Sequence, residues 1–512
     1  MRKKFVVFLS LAIMFFSGVT SSFGLNDTPI DGEISRTNEV ICEGVTCTHI
    51  SLGADSKYKK QEIWIVEFDP QDPKLCLQVA CGGKYTSKLV TVQDTVEIVK
   101  ERNKDKGLVP VAAINGDIWT TTYAHARVEG SNTEFGGYSD AVVTHSLTIP
   151  RGLDIYDGEI VSSPHTQKET PYERQICAFG ITPDGRTVLG TPDLKIKLTD
   201  LSRSDVETVS LNGLNRLPAN NAIMIYSDKM AADTASLSDA YEIVIDCDYD
   251  YVIKHGSVIK GKVTSICKKG DEDPVMKENR LIVTARGNNY VKKVSGIKVG
   301  DEIEVSFEIT VNKKDAEIWK EVTNSVGGHT ILVKNGKAQA NSDSDVIPAT
   351  AIGNTADGKV MFLVVDGRRK DYSVGLKVSD MPDFCKTLGF ENCFLLDGGG
   401  SSTLLAMNKE GSYEIVNTPC DKYENGEYGK ARTVVNSVIL SVLNVTPDAT
   451  EEPGATAETI VTKEPVGDPT ETPGHDSPQN GCSSSSSFSV LSLSCFAAFA
   501  AMILKKGKGH NR

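Results

Sequence analysis

Residues 359–405 constrain the fold more than any other part of the chain. An apolar run, Val360–Val365, stops at Asp366-Gly367-Arg368. The stretch KVSDMPDFCKTLGF follows, with Met381, Phe384, Cys385 and Leu388 at i, i+3, i+4 and i+7. That spacing predicts a helix with one apolar face, N-capped by Ser379 and closed by Gly389 at C′. A second apolar run then ends at Asp397 and enters Gly398-Gly399-Gly400-Ser401-Ser402. Strand, helix and strand with both strands buried normally make two parallel strands joined by a right-handed crossover. Both aspartates would then end their strands on one sheet edge, where open α/β sheets bind ligands. Three glycines in a row are entropically costly, but they let the chain leave a strand without crowding a crevice. Their N–H groups, with those of Ser401 and Ser402, suit an anion-binding nest. Arg368 offers a bidentate partner for phosphate or carboxylate. One aspartate ending a strand is commonly a turn residue or cap. Two on one edge, beside an arginine and this loop, point to a site.

The remaining pattern is strand-rich. QEIWIVEFDP alternates apolar and polar residues, and LCLQVACGG follows after a turn. TVQDTVEIVKERN has helical spacing through Val92, Val96 and Val99. A buried strand, residues 109–114, ends in Asn115-Gly116-Asp117, and GLDIYDGEIV and AFGITPDGRTVLG read as hairpins with Asp-Gly turns. Residues 235–324 are short strands between charged turns, which predicts an inserted all-β subdomain. DCDYD within it lacks the glycine and glutamate of a calcium loop and reads as a solvated strand face. The expected fold is α+β: a mixed sheet whose βαβ unit carries the site, formed by residues 40–234 and 325–445, plus the insert.

Both ends differ from this body. Residues 1–24 join Arg2, Lys3 and Lys4 to an apolar run and small residues, as a secretory signal does. Residues 446–486 are Pro-, Thr- and Glu-rich and predict an extended stalk. Residues 487–504 carry no charge and are long enough to span a bilayer, and the basic tail 505–512 then stays cytoplasmic. The expectation is an exported, single-pass surface protein with its body outside, anchored or processed and released. The net charge of −13 argues against general nucleic-acid binding. In an exported protein Cys42/Cys47, Cys76/Cys81 and Cys385/Cys393 are candidate bridges, and none of the cysteine spacings makes a zinc site. GGGSS is not a GxSxG elbow, and no histidine has a context that suits a Ser-His-Asp enzyme.

Taken together, INGDIW, GLDIYDGEIVSS, AIGNTADGKVMFLVVDGR, SVGLKVSDMPDFCKTLGF, NCFLLDGGGSSTLL and ARTVVNSVIL resemble the phosphodiester glycosidase family over most of residues 60–445. The resemblance implies hydrolysis of a sugar-1-phosphodiester at its glycosidic bond, giving free sugar and a phosphomonoester. Carried across by motif, it implies site residues Asn115 and Asp117, Asp366 and Arg368, Ser373 and Gly375, Gly398, Gly399, Gly400, Ser401 and Ser402 after Asp397, then Asn417, Arg432 and Asn436. One departure stands out: Ala349 occupies a position where the family usually has arginine.

A phosphomonoester leaves well, so cations and N–H donors can stabilise its growing charge. Arg368, Arg432 and the glycine nest are expected in that role. A carboxylate must steady the oxocarbenium-like transition state, as nucleophile or as base for water; Asp397 is the first choice and Asp366 the second. Asn115, Asn417 and Asn436 are candidates to orient sugar hydroxyls. No cofactor is expected, and the clustered acids leave a divalent metal open. A phosphodiester-linked glycan is the expected substrate. Two other readings stand beside this one: a non-catalytic glycan-binding module, and a metal-dependent phosphodiesterase cutting P–O.

Overall fold

The computed structural model describes residues 24–443 except 87, 125–144, 166–175, 204–207, 217–219, 232–233, 235–239, 269–270 and 313. The signal segment up to residue 23, the stalk, the apolar stretch 487–504 and the basic tail lie outside the described residues. Among the described residues no helix is long and apolar enough to cross a membrane.

The body is mainly β. Its central sheet has eight strands in the order Glu33–Cys42, Val45–Leu52, Gln61–Phe68, Val360–Val365, Ala349–Thr355, Phe390–Leu395, Thr330–Lys334 and Lys337–Ala338. Every neighbouring pair in it is antiparallel. A five-stranded sheet, ordered Tyr413–Ile415, Leu404–Met407, Leu108–Asn115, Asn436–Leu443 and Leu75–Cys81, faces it. Between them Val66, Phe68, Phe362, Val364 and Phe394 meet Leu77, Val111, Ile114, Val438 and Leu440 in one buried core.

Each outer face carries a helix. Val92–Arg102 puts Val92, Val96 and Val99 on Ala80, Ala113 and Ile439. Its N-cap is Thr91, whose hydroxyl accepts from the Asp94 N–H while Asp94 reaches back to the Thr91 N–H. Met381–Leu388 puts Met381, Phe384, Cys385 and Leu388 on the central sheet, as their spacing predicts. Gly389 ends that helix at φ +103°. Ser379 does not cap it. It lies in the 3-10 turn Val378–Asp380, its hydroxyl donating to Asp380 Oδ1, and Pro382 starts the helix instead.

The mixed sheet with a βαβ unit requires correction. Val360–Val365 and Phe390–Leu395 run in the same direction, but they are not neighbours. Ala349–Thr355 lies between them, antiparallel to both. Because each flanks the same antiparallel strand, Asp366 and Asp397 still emerge at one edge. The expected shared edge survives the change of topology.

A second eight-stranded sheet forms a nearly closed barrel around its own apolar core. It holds the strands between Tyr241 and Thr310 and also Asp193–Asp200, Thr208–Leu211, Gly213–Leu214 and Ala222–Tyr226. The β-rich texture read for residues 235–324 therefore begins earlier in the chain. Both Asp-Gly hairpins form, Asp154–Tyr156 with Glu159–Ser162 and Cys177–Ile181 with Thr187–Gly190.

The ten described cysteines are free thiols. Cys76 and Cys81 sit five residues apart on one strand, so their side chains leave opposite faces and cannot meet. Across the first hairpin Cys42 is opposite Val45, and Cys47 is opposite Glu39. Cys385 and Cys393 share the core beneath the Met381–Leu388 helix.

Candidate active site

The loop after Asp397 is anchored from three directions. The Asp397 N–H donates to the Gly116 carbonyl, and the Asn115 amide donates to the Asp397 carbonyl at 2.7 Å. The Gly399 N–H donates to the Pro348 carbonyl. Gly399 stands at φ +66°, and a Cβ there would lie 3.1 Å from the Arg368 guanidinium. At Gly400 a Cβ would collide with Arg432 at 2.2 Å. The glycines therefore bring two guanidiniums against the backbone. The nest is smaller than five N–H groups, since those of Gly399, Ser401 and Ser402 are spent on Pro348, Gly398 and Gly399 carbonyls.

The two aspartates differ in setting. Asp366 is buried at 1% exposure. Its Oδ1 accepts from Asn417 Nδ2 at 2.9 Å, and its Oδ2 accepts from the Thr418 N–H and the Tyr372 hydroxyl, each at 2.9 Å. Burial raises its pKa, opposed by Asn417, Thr418, Tyr372 and the Arg369 charge. Asp397 is partly exposed. Burial pushes its carboxyl up to about 6 against the Ser401 side chain, the Arg432 charge, the Gly398 N–H and the Arg151 charge. The first carboxylate is held, and the second is able to meet a ligand.

The two arginines also differ. Arg432 makes a bidentate pair with Asp421, at 2.9 and 3.0 Å. Arg368 is exposed at φ +60° and makes no ion pair among the described residues; its guanidinium donates weakly to Cys420 Sγ at 3.7 Å.

The amides expected at sugar hydroxyls are used within the protein. Asn115 Oδ1 accepts from the Thr350 hydroxyl and the Thr403 N–H, at 2.8 and 3.1 Å. Asn417 also donates to the Ser402 carbonyl and accepts from the Leu404 N–H. Asn436 accepts from the Asp117 N–H and donates to Asp154 and Tyr156. Ser373 donates to the Asp366 carbonyl, and the Gly375 N–H donates to Gln61 Oε1. These residues fix the positions of Asp366, Asp397 and their loops. Ala349 is buried at 2% exposure, opposite Val365 in the strand between the two aspartate strands.

Sequence reading missed Tyr372, Gln61, Asp154 and Arg151. Asp117 and Asp154 form a second buried acid pair. Gly152 N–H donates to Asp117 Oδ2, and Gly327 N–H to Asp154 Oδ1. Burial pushes Asp117 up to about 7, opposed by the Gly152 N–H and the Arg216 and Arg151 charges. Burial and then the Asp117 charge raise Asp154 further. Both folded-state pKa values exceed the unfolded one, so the folded chain holds protons that the unfolded chain releases above about pH 4. The stability that Asp117 contributes is full in acid and is lost as pH rises toward about 7. Asp117→Asn is expected to raise stability at pH 7.5 by about 1–3 kcal/mol and to change it little at pH 4.5. Urea midpoints at the two pH values check this, and an equal shift at both would refute it.

Among the described residues no group of three or more His, Cys, Asp or Glu side chains is arranged to hold a metal ion.

The phosphodiester glycosidase family model matches residues 254–441. This segment belongs to the phosphodiester glycosidase family. Within it lie Asp366, Arg368, Asp397, the glycine loop, Asn417, Arg432 and Asn436, whereas Asn115 and Asp117 lie outside. A curated relative, the SPbeta prophage-derived uncharacterized protein YomE of Bacillus subtilis, is 36% identical over 133 residues, which is 25% of this chain and 19% of that protein. The chain thus spans about a fifth of that relative's length. Two solved structures share the fold. A hypothetical protein from Synechocystis aligns at TM-score 0.55 and 17% identity, over 81% of this chain and 64% of that one. A protein of Burkholderia pseudomallei described as exported aligns at 0.57 and 15%, over 81% and 98%. The phosphodiester glycosidase segment holds both aspartates of the shared edge.

Proposed function

We propose that the protein is an exported, surface-anchored hydrolase that cleaves the glycosidic C–O bond of a sugar-1-phosphodiester, releasing free sugar and a phosphomonoester. The sugar resembles N-acetylglucosamine in this reading. The observation that carries it is the pairing of a partly exposed Asp397, its carboxyl raised to about 6, with an Arg368 guanidinium that makes no ion pair among the described residues and lies beside the same glycine loop. Family membership of residues 254–441 supports the reaction class.

Asp397 acts on the anomeric carbon, as nucleophile or as base for water. Asp366, tied by three donors, holds the Asn417–Thr418 segment and the Tyr372 hydroxyl in place and adds fixed negative charge near the developing oxocarbenium. Arg368 takes the charge that grows on the departing phosphate. Arg432 spends Nε and Nη2 on Asp421 and offers Nη1 to the phosphate, which makes it a second binding contact beside Arg368. Asn115, Asn417 and Asn436 act by position, because their amides are already engaged.

Hydrolysis of an N-acetylglucosamine-1-phosphodiester in ¹⁸O-labelled water tests the reading. Label in the sugar supports C–O cleavage. Label in the phosphate would instead establish a phosphodiesterase, and no turnover by the folded chain would favour a glycan-binding module.

A further inference from the structure

A groove lies beside the site. Two adjoining cavities, of about 450 and 240 Å³, share Glu39, Cys47, Trp64 and Lys409. They lie between the N-terminal hairpin and the hairpin of Leu404–Met407 with Tyr413–Ile415. The larger is within the size range of ligand sites. One wall holds an aromatic stack: the His49 and Trp64 rings lie 3.9 Å apart at 11°, each covering one face of the other. The imidazole is pinned by Glu62, whose Oε2 meets His49 Nε2 at 2.7 Å and also accepts from the Ser51 hydroxyl. The indole N–H is buried without an acceptor among the described residues, and Trp64 is held by this stack and by the core between the two sheets.

The rim is polar and balanced. Thr37 and Asn38 line it, and Glu39 and Lys409 pair at 3.5 Å with side chains 67% and 80% exposed. Their charges cancel in the larger cavity, while Glu410 and Glu414 line the smaller one and disfavour an anion there. An aromatic wall beside hydrogen-bonding side chains, with no excess of positive charge, matches an uncharged pyranose, whose C–H face is apolar and whose edge carries hydroxyls.

The groove lies next to the site along the strands. Trp64 is opposite Val364, two residues before Asp366, or about 7 Å along the strand. The Asp366 N–H donates to the Glu62 carbonyl, and the Glu62 carboxylate is what fixes His49. From the other side, Val416 lines the groove while Asn417 and Thr418 hold the Asp366 carboxyl.

We propose that this groove is a saccharide subsite for the part of the substrate on the far side of the phosphate, so that the substrate is a phosphodiester linking a sugar to a glycan chain. The substrate assignment rests on the hydrolase reading above; the binding of sugar at His49 and Trp64 does not.

The test uses the full chain. Tryptophan emission is followed during titration with two neutral tetrasaccharides, one of N-acetylglucosamine and one of mannose. At least one is expected to give a saturable change that Trp64→Phe removes and that His49→Ala weakens tenfold or more. In parallel, N-acetylglucosamine-1-phosphate esterified to a tetrasaccharide is compared with its methyl ester. His49→Ala is expected to raise KM at least tenfold for the first and to leave the second unchanged, with circular dichroism unaltered. Binding without turnover of either ester would leave the subsite standing and remove the hydrolase reading. Turnover of both esters with no saturable emission change, or with one that Trp64→Phe leaves intact, would overturn the subsite.

Discussion

Asp397→Asn protein is expected to fold as the parent does and to lose at least about a thousandfold in sugar release. The backbone of residue 397 is held by Gly116 and by Asn115, and neither contact involves the carboxyl. The substitution therefore removes the reactive group and little else. The pH profile gives a second reading of the same residue. Burial pushes the carboxyl up to about 6, and the nucleophile or base must be ionised. The value of kcat/KM is expected to fall about tenfold per unit below pH 6 and to level off above it. A profile flat from pH 4.5 to 7 would exclude Asp397 from that role, as would substantial sugar release by the asparagine variant.

Asn115→Ala is expected to cost about 3–5 kcal/mol of stability. The asparagine is fully buried, and its one amide serves the Asp397 carbonyl, the Thr350 hydroxyl and the Thr403 N–H. Truncation leaves three polar groups without their partner, one in the central sheet and two in the loop between Leu395 and Leu404. The midpoint of urea unfolding should drop accordingly. A structural clamp and a substrate contact separate in the kinetics. At a temperature where the variant is folded, a clamp lowers kcat by displacing Asp397, whereas a lost substrate hydrogen bond raises KM with kcat unchanged. Stability equal to the parent's would refute the clamp.

The parts of the fold that announce themselves are local. Helix Met381–Leu388 follows from four apolar residues at helical spacing and a glycine after the last. The Asp-Gly hairpins follow from turn residues that tolerate positive φ, as Asp157 does at +48° and Gly158 at +89°. The insertion of Ala349–Thr355 between the two aspartate strands is not local. Its sequence, ATAIGNT, is weakly apolar, and chain order places it before both strands. Nothing in that order says that a preceding segment will slip between two strands joined by a helix. Only the shared apolar layers, closed from distant segments, decide it.

The site divides along the same line. Asp366 and Asp397 are legible because each ends an apolar run, where an acid is costly unless it is used or paired. Tyr372, Gln61 and Asp154 carry no such mark. Gln61 begins a strand of alternating pattern and looks like any polar position, yet its amide takes up the Gly375 N–H and donates to the Gly375 carbonyl. Asn115, Asn417 and Asn436 are visible by motif, but their use as internal braces depends on contacts between residues 235 to 319 positions apart for Asn115–Thr350 and Asp117–Asn436. Spacing along the chain holds no trace of such contacts.

The interposed strand also bears on the configuration of the product. With one antiparallel strand between them, the backbones leading to Asp366 and Asp397 stand two strand spacings apart, roughly 10 Å. Carboxylates that attack the sugar directly and return it with its original configuration stand about 5–5.5 Å apart. Those figures refer to carboxyls rather than backbones, and here Asp366 reaches toward Asp397 only by giving up Asn417, Thr418 and Tyr372. Asp397 is therefore expected to act alone as base for water, and the sugar to leave with its anomeric configuration inverted. Proton NMR of the first-formed anomer, recorded before mutarotation, reads this directly, and a product of unchanged configuration would mean that the acid pair closes across the strand that separates it.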